Sequence, residues 1–178
     1  LSLAGGLLAL GAIGYYWGGF GQTASPLLNT DSSHLPDYDV VGIDGQQTNE
    51  FGQITHKLTA ERLVHYPQAD NSLVTKPIVT LYKDGISAWQ ISAQHALTSN
   101  HNRELQLNQQ VLGQRIKGQA LTLETETLNA NQALQTLTTA APVMIRSPQG
   151  QISSVGLSAN LQESTLTFAS QVRGTYVL

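Results

Sequence analysis

Two hydrophobic regimes divide this chain. From Leu1 to Phe20 no side chain is charged, and apolar residues dominate. Beyond Asp31 apolar residues alternate with polar ones at period 2 and are broken by turns. The first pattern predicts a membrane-spanning helix. Twenty helical residues cover roughly 30 Å, the thickness of a bilayer's hydrocarbon core. A helix also satisfies its own backbone in lipid. A cleaved signal peptide has a shorter apolar core, about 7–15 residues. Here the stretch runs on through Tyr15, Tyr16, Trp17 and Phe20, placed as an interfacial aromatic belt. A retained anchor over residues 1–20 is therefore expected. The first basic residue after it is Lys57, so no positive charge holds that flank in the cytoplasm and the body is placed outside it. Gly14-x-x-x-Gly18 has the spacing that lets another membrane helix pack closely.

The second regime contains one strand pattern four times: His56–Ala60, Trp89–Ala93, Leu121–Thr125 and Val155–Ala159. Its central apolar residues are Leu58, Ile91, Leu123 and Leu157, spaced by 33, 32 and 34. Period-2 alternation means a strand with one buried face, and strands of that kind pair antiparallel. Second strands are expected between the copies, at 73–81, 104–111, 133–145 and 165–176. Turns are expected at Pro67–Asn71, Lys83–Gly85, Ser99–Asn102 and Ser147–Gly150. A repeat of 20–50 residues built from strand pairs predicts stacked or spiralling hairpins. Trp89, Ile91, Ala93, Leu97, Leu121, Leu123, Thr125, Val155, Leu157, Ala159 and Leu161 are expected on the interior side; Leu166, Phe168 and Val172 share one parity of the last strand. The run Leu73–Tyr82 is apolar on both parities, which a bulge or a strand covered on both faces would explain.

Composition narrows the function. Residues 21–36, rich in Ser, Asn and Pro, read as a flexible linker. About 140 residues remain after it, enough for one domain with its own core. A net charge of −3 argues against nucleic acid. There are no cysteines, so disulfides, thiol catalysis and cysteine-based zinc sites are excluded. None of the five histidines, His34, His56, His65, His95 and His101, has a second ligand at metal-binding spacing. Glu124 and Glu126 share a strand face and are the best candidate for paired-carboxylate chemistry. Their parity opposes Leu121, Leu123 and Thr125, so they are expected in solvent. No catalytic residues, cofactor or metal are expected, and the chain is read as a non-enzyme.

One family fits this arrangement. The run Asn49–Pro67 (NEFGQITHKLTAERLVHYP), then Thr75–Tyr82, Trp89–Ala93 and the closing Val172–Tyr176, resembles the LptC family of lipopolysaccharide export proteins over essentially the whole chain. The resemblance implies an open, twisted antiparallel β-jellyroll over residues 37–178 in the periplasm, behind a single inner-membrane helix. It implies that lipopolysaccharide leaves the inner-membrane ABC transporter, made of LptB, LptF and LptG, enters the jellyroll by its acyl chains and passes to LptA. On that reading Leu58, Ala60, Ile91, Ala93, Leu123, Leu157, Ala159, Leu166, Phe168 and Tyr176 line the groove. Gly14 and Gly18 contact the LptF and LptG helices. Tyr38 and Val40 at one end, and Val172 and Tyr176 at the other, form docking edges, the latter for LptA. The Pro148-Gln149-Gly150 turn departs from the family pattern, so no roles are carried over near it. A membrane-tethered β-scaffold that binds only protein is the alternative.

Overall fold

The computed structural model describes residues 35–83, 85–99, 104–131, 134, 136–160 and 165–176. The expected anchor, with Gly14 and Gly18, most of the linker, and Leu161 lie outside them. Among the described residues no helix is long and apolar enough to cross a membrane.

Among the described residues all the regular structure is strand: β1 (Tyr38–Thr48), β2 (Ile54–Tyr66), β3 (Asn71–Thr75), β4 (Ile78–Lys83), β5 (Ile86–Ser92), β6 (His95–Ser99), β7 (Glu104–Arg115), β8 (Thr122–Asn131), β9 (Thr136–Ser147), β10 (Gly150–Asn160) and β11 (Thr165–Tyr176). They form one antiparallel sheet. β3 and β4 lie end to end beside β2, and β5 and β6 lie end to end beside β7. The sheet therefore has nine ranks, from β1 at one edge to β11 at the other. The four repeats fall on β2, β5, β8 and β10, with Ala93 just past the end of β5 and Leu121 just before the start of β8, and the expected 165–176 strand is β11.

A crease crosses the middle of every rank. The chain there takes positive φ at Gly42 (72°), Lys76 (48°), Gln109 (65°), Gln110 (52°), Gly156 (85°) and Gln171 (50°). Register slips at the same level in β7, β8, β9 and β10. An extra residue in one strand bends it and increases its twist. Repeated in rank after rank, the bends fold the sheet so that its two halves face each other. Leu63, Val74, Ala96 and Leu107 from one half join Ile91, Ala93 and Val111 from the other in a single buried cluster. The result is a folded jellyroll rather than a flat sheet. Hydroxyls satisfy backbone freed at the crease: Thr125 Oγ1 donates to the Pro142 carbonyl (3.0 Å), and Ser154 Oγ to the Gly156 carbonyl (3.2 Å).

Three sequence expectations are corrected. Leu97 faces outward, where it pairs with Leu73 and Gln106, and its neighbour Ala96 is the buried residue, between Val74 and Leu107. Val155 does not share a face with Leu157: Gly156 is the extra residue, Val155 pairs with Pro142, and the buried positions of β10 are Ser154, Gly156, Leu157 and Ala159. The run Leu73–Tyr82 is two strands broken at Lys76-Pro77, with Val74 buried before the break and the fully buried Pro77 after it. Its apolar residues occupy both parities because the break switches parity.

Candidate functional site

The buried face carries unbroken cross-strand rows. One runs Tyr38–His65–Ser72–Thr98–Leu105–Ala130–Leu137–Ala159–Leu166, pair by pair through all nine ranks. A second, beyond the crease, runs Gly45–Leu58–Val79–Ile91–Gly113–Leu123–Ile145–Ile152–Gly174. Residues opposite one another on an antiparallel pair share a face, so each row is a continuous strip about one side chain wide.

The ten candidate groove residues all fall on this face. Leu58, Ile91 and Leu123 are in the second row, Ala159 and Leu166 in the first. Leu157 pairs with Phe168 in the next row along. Ala60 and Ala93 lie at the crease and pack in the main cluster. Tyr176 follows Gly174 by two residues, opposite Gly150, at the rim. Their surroundings differ. Ile91, Ala93, Leu157 and Ala159 are buried, whereas Leu58, Ala60, Leu123 and Phe168 are half-buried. Leu166 is 48% exposed and Tyr176 72%. From β2 to β8 the groove's own side chains fill it, with Leu107 and Val111 at 1% exposure. Towards β11 it opens, and Phe168 alone in that strand is half-buried among the described residues.

The two edges also differ. β1 is pinned to β2 by polar contacts. Arg62 donates to both carboxylate oxygens of Asp39, Lys57 meets Asp44 at 3.0 Å, and His65 Nδ1 lies 2.7 Å from Asp37. The Arg62 guanidinium holds the Asp39 carboxyl below the usual carboxylate range. Tyr38 stacks on His65 with ring centres 4.6 Å apart, and burial raises its hydroxyl's pKa despite the bond to Ser72. Val40 sits on the same strand, half open to solvent. At the opposite edge β11 presents Val172, more than half exposed, beside Arg173. The outer sides of β1 and β11 bear no partner strand among the described residues.

A trough of about 970 Å³ crosses the opposite face of the sheet over the crease. Glu124 and Glu126 line it, and Glu124 is ion-paired with Arg146. The carboxylate pair thus faces away from the groove. Among the described residues no group of His, Asp and Glu side chains is arranged to hold a metal ion.

Sequence reasoning missed one groove-facing charge. A third row, at the rim beyond the second, runs Gln47–His56–Leu81–Trp89–Arg115. The Arg115 guanidinium lies over the Trp89 ring, 5.1 Å from its centre. Desolvation on this row lowers the His56 pKa below 6.5. The strand expected at 104–111 ends four residues short of Arg115, and Gln109-Gln110 disguise the alternation that would have carried it on.

The family model for lipopolysaccharide-assembly, LptC-related proteins matches residues 6–177. Among solved structures, the chain is similar to LptH from Pseudomonas aeruginosa, described as the LptA homologous periplasmic component of the conserved lipopolysaccharide transport device. The TM-score is 0.54 at 5% identity, over 69% of this chain and 94% of that one. At that identity the likeness speaks for the fold alone. A comparison with curated proteins found no match.

Proposed function

This chain belongs to the lipopolysaccharide-assembly, LptC-related family and has its role in lipopolysaccharide transport; from that premise we propose that its buried face is the conduit for the acyl chains. One observation carries the reading: two cross-strand rows, apolar except at His65, Ser72 and Thr98 of the first, cross all nine ranks from one unpartnered edge strand to the other. Apolar lining stabilises a lipid tail by about 25 cal/mol per Å² buried and needs no directional bond. A row of similar weak sites lets cargo step along, where one tight site would hold it. The N-terminal ranks are filled by their own side chains, so cargo enters by parting the two half-sheets about the crease.

Proteins of this family are inner-membrane proteins with a periplasmic domain. Here residues 1–20 are taken as the single-pass anchor, residues 21–36 as its linker, and residues 37–178 as the periplasmic body. Gly14 and Gly18 dock the anchor among the helices of LptF and LptG, the membrane subunits that work with LptB. The β1 edge, at Tyr38 and Val40, continues a β-domain of the transporter. The β11 edge, at Val172 and Tyr176, hands cargo to LptA by strand addition, in which main-chain hydrogen bonds supply affinity.

Photo-crosslinking tests the conduit. A photoreactive residue at Ile91, Leu123, Leu157 or Phe168 should capture lipopolysaccharide, and one at the outward-facing Ser158 or Glu124 should not. Equal labelling of both faces would refute the conduit and favour a scaffold that binds protein alone. Gly14→Leu and Gly18→Leu should each weaken copurification with the transporter without unfolding the body. Undiminished association would show that these glycines are incidental.

A further inference from the structure

Four of the described basic residues are matched to carboxylates: Lys57 to Asp44, Arg62 to Asp39, Lys76 to Glu61 and Arg146 to Glu124. Lys83, Arg115, Lys117 and Arg173 meet no carboxylate among the described residues, and of these four it is Arg115 whose guanidinium lies over an aromatic ring. Arg115 ends β7 on the groove-facing side, since it pairs with Trp89, whose neighbours in the same row include Leu81. Leu81 packs against the main core cluster. The Arg115 amide donates to the Leu121 carbonyl (2.9 Å), closing the short loop that holds Lys117. Leu121 itself packs on the second core cluster, with Leu123. Arg115 therefore stands at the rim of an apolar groove, with Lys117 two residues on in the loop that this hydrogen bond closes.

Trp89 gives Arg115 a further property. A guanidinium lying over an aromatic face is held in place by the ring's quadrupole, and its N–H groups still point outward in their own plane. That fork matches two oxygens of one phosphate. A phosphate monoester carries about −1.5 to −2 charges near neutrality, which suits two cations better than a single carboxylate charge would.

We propose that Arg115 and Lys117 seat the phosphate of an anionic amphiphile whose acyl chain lies in the groove beside Leu81 and Leu123. The inference rests on the conduit reading and adds headgroup recognition to it. The seat lies midway along the sheet, at β5, β7 and β8. It sets how far the headgroup travels out of the lining and which way round the molecule sits.

The test uses the full chain in phosphatidylcholine nanodiscs, with Trp17→Phe so that Trp89 is the sole reporter. Trp89 emission is titrated with dodecyl phosphate, with dodecyl maltoside and with inorganic phosphate. Dodecyl phosphate should reach its midpoint at about tenfold lower concentration than dodecyl maltoside, the scale of one exposed charge-assisted hydrogen bond. Arg115→Gln should erase that preference while leaving the dodecyl maltoside midpoint in place. Arg115→Lys, which keeps the charge but loses the planar fork, should retain only part of it. Arg173→Gln, on the opposite face, should change nothing. Midpoints are expressed as free amphiphile after subtracting the amount each amphiphile partitions into protein-free nanodiscs, so partition cancels between amphiphiles as well as between variants. Equal midpoints in the parent chain would overturn the proposal, as would a preference that survives Arg115→Gln combined with Lys117→Gln. Inorganic phosphate acting at the same midpoint as dodecyl phosphate would overturn it in favour of a free-anion site. If the preference is absent but dodecyl maltoside still moves Trp89, headgroup recognition fails and the conduit stands. If neither amphiphile moves Trp89, both fail.

Discussion

Replacing Gly156 by alanine probes whether the crease is a structural requirement. Gly156 has φ 85°, and a Cβ built there lies 2.8 Å from the Ala169 Cβ on β11. Left-handed backbone costs a non-glycine residue about 1–2 kcal/mol. Ordinary carbon contacts lie at about 3.5–4.0 Å, so the new methyl overlaps Ala169 by ~0.7 Å. Overpacking of this kind costs about 1–3 kcal/mol. The low end applies, because Ala169 sits on an edge strand with little buried side chain and can move outward. The sum is about 2–3 kcal/mol, or about 30- to 150-fold in an equilibrium constant. The strain falls on the contact between β10 and β11, so hydrogen exchange read amide by amide is the assay. Amides of β11 should lose protection by that factor, while those of β2 and β7 keep theirs. Adding Ala169→Gly removes the overlap and leaves the backbone cost, so the double variant should recover about fivefold. Uniform loss of protection across the sheet would refute the reasoning. So would a double variant no better than Gly156→Ala alone, since the overlap would then contribute nothing.

Leu107→Ala removes a fully buried side chain at the centre of the main cluster and should destabilise the body by about 3–4 kcal/mol, read as a lowered urea midpoint with unchanged slope; a loss under about 1 kcal/mol would mean that the two halves are not packed on one another. The lowered pKa of His56 means that folding favours its neutral ring. Stability is therefore full above the unfolded pKa of 6.5 and falls as pH drops from there through the folded value. His56→Gln should remove that part of the slope, and a stability difference between the two proteins that stays constant from about pH 7.5 to 5.5 would contradict it. Deleting residues 171–178 removes the half of β11 that pairs with Gly150–Ser153 and should abolish binding to a soluble LptA-type jellyroll in a pull-down, with transporter association intact. Normal affinity after the deletion would rule out strand addition at that edge.

The sequence alone located the four repeat strands and the turns that end β2 and β9, but not β6 or the break between β3 and β4. Alternation of side chains across a strand follows from backbone geometry, so Leu58, Ile91, Leu123 and Leu157 each announce their own buried face without knowledge of the rest of the chain. Turn chemistry is equally local, and Pro67–Asn71 and Ser147–Gly150 end β2 and β9 as their residues predict. The resemblance to one family was legible for the same reason, being carried by short motifs in order. Four things were decided only by the tertiary structure. The crease was one, because a glutamine or lysine in left-handed backbone, as at Gln109, Gln110, Gln171 and Lys76, carries no compositional signal. Val155 was therefore read on the wrong face, and Leu73–Tyr82 could not be oriented. The depth of burial along a row was another: Ala159 and Leu166 are paired neighbours, yet the first is covered and the second lies open. The packing of the two half-sheets against one another was a third. The charge at the rim was the fourth, since Arg115 acquires its meaning from Trp89, 26 positions away in the chain. A side chain's direction is set by its own strand, but what covers it depends on which distant strand folds across it.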